Sequence, residues 1–356
     1  MPTSADIPPK TRSRRRWLRR LLIASGCVVA LAVAAGGWAI YQNDFDYRQE
    51  HVTITGSTQP LEGTLTLPKQ GNGPYGLVLF IHGDGVANAD RDGFYRPMWE
   101  TFAKAGYASI GWNKPGIGGA PGNWLDQSLR DRALEAEAVM DWARARTDID
   151  PHRIGLWGIS QGGWVIPQVA VDRPDQVQFI IPVGAAINWE RQGEYNLRAE
   201  MKAKNASDAE LRAALQRRED SLVLLREDAP YERYRSTTTD SDPMSPDRWR
   251  FVERNFRADV SPLLPRLNVP VLLELGAEDR NVDVRETERV YKQLVKPELL
   301  TVHMYPDASH NIVKADLDHN QDSLKTVLTY IFAPRSLYVP GYLDDIRDWV
   351  SKLPPR

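Results

Sequence analysis

The sequence predicts an α/β chain: a mostly parallel, doubly wound sheet with a helical cap insert, preceded by one transmembrane helix. Three observations predict it. Short, largely apolar runs recur at Leu77–Ile81, Arg153–Trp157, Val177–Val183 and Val269–Leu275, with helical stretches between them. Strands alternating with helices imply right-handed crossovers and a parallel sheet. A polar stretch from about Trp189 to Asp259 interrupts that alternation, and Leu21–Tyr41 is a run of 21 residues without a charge.

The N-terminal elements come first. Residues 1–20 hold seven Lys or Arg and one acid, Asp6, giving +6 in a chain whose net charge is −2. The rest is acidic, which leaves no basic face for nucleic acid. Leu21–Tyr41 as a helix would be about 31 Å long, enough for a hydrocarbon core of about 30 Å. Trp17, Trp38 and Tyr41 stand at its ends, where interfacial aromatics lie. Basic residues before the run and Asp44 and Asp46 after it predict a cytoplasmic N-terminus and a body on the exported side, periplasmic or extracellular. Ala32-Val33-Ala34 offers a signal-peptide cleavage site, which would give a secreted protein, and Ser13–Arg19 resembles a twin-arginine export signal. The apolar run continues past Ala34, which favours an uncleaved anchor. The single cysteine, Cys27, excludes an internal disulfide and a multi-cysteine metal site, and reads as a membrane-facing residue.

The body follows in order. His51–Thr55 and Gly63–Leu67 alternate around turn residues and predict an antiparallel hairpin. Leu77–Ile81 is a strand buried on both faces. Helix Phe94–Ala105, strand Tyr107–Trp112, helix Leu129–Arg146, strand Arg153–Trp157, helix Trp164–Asp172 and strand Val177–Val183 come next. After the insert follow strand Val269–Leu275, helix Val284–Leu294 and strand Leu300–Tyr305. Within the insert, Ser207 to Glu210 forms a capping box before a helix with Leu211, Leu215, Leu222 and Leu225 near one face. Arg235–Trp249 is turn-rich and reads as a mobile segment. An insert at this point is placed to cover a site at the C-terminal ends of the strands.

Gly158-Ile159-Ser160-Gln161-Gly162 sits between a strand and a helix, with a glycine two residues either side of one serine. Such a G-x-S-x-G turn lets strand and helix approach closely while the serine stands strained at the apex as a nucleophile. A serine needs a base, and the base an orienting acid, in the chain order Ser, Asp, His. Of six histidines, His310 falls in a loop after the last predicted strand, with His319 as its main competitor. His51 lies near the anchor, His82 and His152 adjoin strands, and His303 is inside one. Asp279 lies on the loop after Val269–Leu275, with Glu278 and Asp283 as alternatives. The oxyanion of a tetrahedral intermediate needs amide donors. The Gln161 N–H and the Asp84 N–H of the His82-Gly83-Asp84-Gly85 loop are the candidates, with the Asp84 carboxylate turned away or contacting a cationic substrate group. Trp189, Tyr195, Trp249 and Phe251 of the insert could line an acyl pocket.

The motifs GTLTLP, LVLFIHGDG, GYASIGWNKPGIGGAPG, DPHRIGLWGISQGGWVIP, LELGAEDRNVD and DASHNI follow one another in this order. The chain thereby resembles the serine-dependent α/β-hydrolases of the bacterial esterase and prolyl-oligopeptidase-like group over roughly residues 51–353, the insert excepted. The resemblance maps nucleophile, acid and base onto Ser160, Asp279 and His310. It implies hydrolysis of a small-molecule ester, with a thioester, amide or short peptide as alternatives, and no cofactor or metal. HGDG in place of a glycine-triplet loop argues against the hormone-sensitive-lipase branch, and the lack of a preceding β-propeller against a full oligopeptidase. A catalytically dead scaffold used for binding is a further alternative. The implied organisation is a basic cytoplasmic segment at 1–20, a transmembrane anchor or signal peptide at 21–41, and an α/β-hydrolase domain at 48–356 with its cap insert at about 189–259.

Overall fold

A computed structural model describes residues 11–354. Lys10 and Asp6 of the basic segment lie outside the described residues. Helix α1 (Thr11–Asn43) contains a 28-residue stretch, Arg16–Asn43, long and apolar enough to cross a membrane, none of it buried by the rest of the protein. Cys27 is exposed upon it.

The chain then forms strands β1 (Tyr47–Ile54), β2 (Leu61–Pro68) and β3 (Tyr75–Ile81), helix α2 (Arg96–Lys104), strand β4 (Tyr107–Trp112), helix α3 (Leu129–Arg144) and strand β5 (Ile149–Ile159). Helix α4 (Gly162–Asp172) and strand β6 (Val177–Val183) follow. Four helices make the insert: α5 (Trp189–Ala203), α6 (Asp208–Arg226), α7 (Tyr231–Thr237) and α8 (Pro246–Asn255). The remainder is β7 (Val271–Gly276), α9 (Val284–Leu294), β8 (Leu300–Tyr305), α10 (Ala315–Asp318), α11 (Leu324–Phe332) and α12 (Tyr342–Ser351). The eight strands form one sheet in the order β1-β2-β4-β3-β5-β6-β7-β8. The β1–β2 hairpin and the β2–β4 pair are antiparallel and every other pair is parallel, as the alternation predicts.

β3, β4, β5, β6 and β7 are buried almost throughout because helices cover both sheet faces. One face packs on α3, α4 and α9 through residues such as Leu79, Val139, Leu156 and Val165; the other packs on α2 and α12 through Phe80, Trp99, Trp157 and Tyr342. Gly155 is required where the sheet meets Phe179, since a Cβ there would lie 2.1 Å from that ring.

The insert has a small core of its own. Leu222 and Leu225 are buried as the α6 spacing predicts, whereas Leu211 and Leu215 are half-buried. Tyr234 stacks on Trp249 with ring centroids 4.4 Å apart. Trp249 is therefore a core residue of the insert rather than part of a pocket. The segment read as turn-rich is helical only at its two ends: α7 runs to Thr237, Thr238 to Ser245 is non-helical, and α8 begins at Pro246 with the Ser245 hydroxyl capping the Arg248 N–H. Serine followed by proline is an ordinary helix start, and the density of polar residues around it hid the signal. Replacing Trp249 with alanine empties the centre of this cluster and is expected to destabilise the insert by about 3–5 kcal/mol, measured as an early loss of helical ellipticity in guanidinium titration.

Candidate active site

Ser160 lies between β5 and α4 with φ of +53°, a left-handed conformation that a residue with a Cβ adopts only under constraint. The constraint is close packing. A Cβ on Gly158 would meet the Gly162 carbonyl oxygen at 2.8 Å, one on Gly162 would meet Ile81 O at 2.5 Å, and one on Gly163 would meet Ala185 at 2.3 Å. The Ser160 N–H donates to Val183 O at 2.8 Å, tying the bend to the end of β6.

Asp279 and His310 are brought together on the adjacent loops. His310 Nδ1 is 2.8 Å from Asp279 Oδ2, and both residues are buried. The other carboxylate oxygen, Oδ1, accepts the N–H groups of Asn281 and Val282 at 2.7 and 2.9 Å, which fixes the Asp279 side chain. The alternatives fall away: Glu278 is exposed, and Asp283 caps α9 by accepting the Arg285 and Glu286 N–H groups. The His310 ring lies over Gly184, where a Cβ would come within 3.1 Å of Nδ1. Gly184 directly follows Val183, the residue that accepts the Ser160 N–H. Among the described residues no hydrogen bond joins Ser160 Oγ to the His310 ring.

The other histidines have different surroundings. His319 ends α10, and His51 and His152 are exposed. His303 pairs with the fully buried Glu274 at 3.3 Å, a contact that raises its pKa, while burial raises that of Glu274. His82 is buried between the Tyr95 hydroxyl and the Trp112 carbonyl, and burial holds its pKa well below the usual value. It therefore stays neutral and shapes the loop.

That loop, His82 to Gly85, is held by two buried cations that sequence reasoning missed. Lys114 Nζ donates to Gly83 O at 2.6 Å and to Gly85 O at 2.7 Å, with its ammonium 4.8 Å from the Trp124 ring centroid. Arg132 donates to His82 O and, at 2.6 Å, to Gln161 Oε1. Burial lowers the pKa of both cations. Gly83 is tightly packed: a Cβ there would lie 3.2 Å from that of Ser160, which would have to give by a few tenths of an ångström. The backbone N–H groups of Asp84 and Gln161 have no protein acceptor among the described residues.

The Asp84 carboxylate meets a cation of the protein itself. Arg248 of α8 grips it in a two-pronged ion pair at 3.0 and 2.6 Å, linking the insert to the loop. Burial pushes the Asp84 carboxyl up, but the hydrogen bonds and charge of Arg248 outweigh it and hold the pKa below the usual aspartate value. The charged pair is present at neutral pH and is lost only as pH falls through that depressed value. A cavity of about 530 Å³ opens over Ser160, bounded by Asp84, Gln161 and Trp164 below and by Trp189, Asn196 and Arg248 of the insert above. Of the insert aromatics, Trp189 lines it and stacks on Trp164 at 5.3 Å. Tyr195 instead donates to Asp279 O at 2.9 Å, and Phe251 packs behind, 5.4 Å from Trp124.

The sheet order, the left-handed serine between β5 and α4 and the roofed cavity are those of the α/β-hydrolase fold. The model of the X-Pro dipeptidyl-peptidase (S15) family matches residues 59–310, and the chain belongs to that family. Esterase EstD of Thermotoga maritima is 22% identical over 289 residues, covering 78% of this chain and 63% of EstD. An uncharacterized protein of Mycobacterium tuberculosis is 41% identical over 59 residues, which are 17% of this chain and 20% of that protein. Among solved structures, the Pyrococcus furiosus esterase Pf2001 superposes with a TM-score of 0.52 at 16% identity, covering 86% of this chain and 93% of that one. Est1E from Butyrivibrio proteoclasticus, solved with ferulic acid bound, gives 0.51 at 17% identity over 85% and 96%. These two likenesses establish the fold.

Arg248→Gln leaves the Asp84 carboxylate unpaired beside the cavity. It is expected to lower kcat/KM on a short acyl ester about tenfold, or ~1.4 kcal/mol. Asp84→Asn in the same chain should recover part of that loss, which a double-mutant cycle on steady-state rates measures.

Proposed function

We propose that the protein is a serine hydrolase that cleaves carboxylic esters through an acyl-enzyme. The observation that carries this reading is the buried His310–Asp279 pair lying against Gly184, one residue from the group that accepts the strained Ser160 N–H. His310, oriented by Asp279, takes the Ser160 proton as the hydroxyl attacks the ester carbonyl. It then returns that proton to the departing alcohol. Water, deprotonated by His310, next attacks the acyl-enzyme, releasing the acid and restoring the serine. The Ser–His contact that this step needs is of the kind that tightens in a Michaelis complex.

The N–H groups of Gln161 and Asp84, which have no other acceptor, receive the oxyanion. Lys114 acts on this step through the backbone: Gly83 O and Asp84 N–H belong to one peptide group, so an ammonium on the oxygen fixes that plane and polarises the N–H. The insert (about 189–259) serves as a roof that limits water, and α1 serves as an uncleaved anchor with the catalytic domain, residues 48–356, on the exported side.

A second reading, a peptidase or amidase acting on short peptides, is favoured by the family membership. Comparing turnover of p-nitrophenyl acyl esters with that of aminoacyl anilides separates the two: the ester reading expects much higher kcat/KM on the esters, and the reverse order makes the protein a peptidase. A fluorophosphonate probe should label the wild-type chain but not Ser160→Ala; no labelling of the wild type would mark a binding scaffold. Ser160→Ala should lower kcat by about 10⁶-fold, and full activity in that variant would remove the serine from the mechanism. Lys114→Met is expected to reduce kcat about tenfold or more with KM nearly unchanged, because the polarised donor acts mainly on the transition state.

A further inference from the structure

Helix α11 is nine residues long, LKTVLTYIF, and none of its residues is buried. Leu324 is 71% exposed, and Val327, Leu328, Tyr330 and Ile331 are 40–49% exposed. Outside α1, the other large apolar side chains exposed among the described residues are Val86, Leu134 and Val223. Of these, Val86 lines the same face as α11, so the exposed apolar surface of the body is concentrated there. A contiguous patch of this kind marks an interaction surface.

The position of α11 identifies the occupant. The Asn43 side chain donates to Ile331 O at 2.8 Å, two residues beyond the end of the apolar run at Tyr41. Arg335 fixes the same junction, donating to Gln42 O at 2.7 Å and Asp44 O at 3.0 Å while pairing with Glu100. It also lies 4.4 Å from the Phe45 ring centroid. With Leu21–Tyr41 spanning about 30 Å of hydrocarbon, the C-terminal end of α11 falls at the membrane surface. Apolar surface in that position continues the lipid-facing surface of α1.

A groove of about 530 Å³ lies beside α11, lined by Val327, Ile331, Phe94, Val313 and Val86 together with the polar Arg91, Asp92, Asn311 and Asp318. Val86 adjoins Gly85 of the loop beside Ser160, and Asn311 adjoins His310. Two residues of the groove lining are thus chain neighbours of residues in the segments beside Ser160.

We propose that α11 is an interfacial helix that docks on the bilayer beside the exit of α1, so that the enzyme acts on acyl esters partitioned into the membrane. The proposal rests on the anchor and ester-hydrolase readings. The test uses the full chain in phosphatidylcholine vesicles, with retention of α1 checked by intact mass. In a Cys27→Ser background, Leu328→Cys carries an environment-sensitive fluorophore, and Lys204→Cys on the insert provides an exposed control. Nitroxide near the headgroup end of the acyl chains should quench the label at 328 and leave that at 204 unchanged. This arm needs no turnover, so its failure is separable from failure of the catalytic reading. Equal quenching of 328 and 204 by aqueous iodide would overturn the proposal, as would self-quenching at 328 that rises with protein density, which would mark a contact between copies. In the second arm, Leu324→Glu with Leu328→Glu should cut hydrolysis of a vesicle-embedded long-chain ester about tenfold or more, with kcat/KM on a water-soluble short ester unchanged. Equal rates on the embedded ester would overturn the proposal, and absence of short-ester turnover by the wild-type chain would instead reject the catalytic reading.

Discussion

The structure depends on the left-handed backbone at Ser160. That conformation costs of order 1–3 kcal/mol and survives because its surroundings allow no other. Gly158, Gly162 and Gly163 let β5 and α4 press together, and any side chain at those positions would strike backbone or neighbouring carbon. The same compression brings Gly83 against Ser160 and delivers the Ser160 N–H to β6. The segments beneath the cavity are therefore anchored at strand ends, while the insert helices roof it. Asp279 follows β7, His310 follows β8, and the His82–Gly85 loop follows β3.

The buried cations supply the second constraint. A loop packed this closely on a helix N-terminus must find partners for its carbonyls, and an unpaired buried C=O is costly. Lys114 and Arg132 accept that role for His82, Gly83 and Gly85. Because a peptide group's N–H points opposite its C=O, satisfying these carbonyls from the rear turns the Asp84 amide away from the cations. Burying two positive charges is itself unfavourable, which is why both have lowered pKa values. The compensation is distributed: carbonyl dipoles, the Trp124 ring, the nearby Asp84 and Glu135 carboxylates, and the neutral state of His82.

What was legible in the sequence was what is local. Alternating strands and helices, the glycine spacing around Ser160 and the capping box at Ser207 each depend on residues within one turn or strand, and the observed elements differ mainly at their ends. The pairing of Asp84 with Arg248 spans 164 residues and leaves no local pattern; the sequence suggested a cationic substrate group in the place that Arg248 takes. Nothing in GWNKPG or DRALE announces that Lys114 and Arg132 point inward. The insert aromatics show the same limit from the other side, because Trp189 lines the cavity while Trp249 fills a core, and composition cannot separate those roles. The three C-terminal helices were not anticipated, although in α11 Lys325, Thr326 and Thr329 lie together on one side of the helix.

The insert is rooted at several points, and this bears on how the cavity can open. Buried Asn255 at the end of α8 accepts the Leu129 N–H at 2.8 Å and donates to Gln127 O at 3.1 Å, joining the insert to the start of α3. A short antiparallel bridge, Asn188 to Asp259, closes its base, with Trp189 N–H on Ala258 O and Val260 N–H on Ile187 O. The Arg248–Asp84 pair then ties the middle of α8 to the loop beside Ser160. A helical unit fixed at its base, its last helix and its centre cannot swing as a rigid lid without breaking buried hydrogen bonds. Opening by separation of Arg248 from Asp84 alone breaks only a partly exposed ion pair, the least costly of these links. On the proposed mechanism the aspartate that ties α8 to the loop also offers its backbone amide to the oxyanion, so one residue bears on both the roof and the chemistry beneath it.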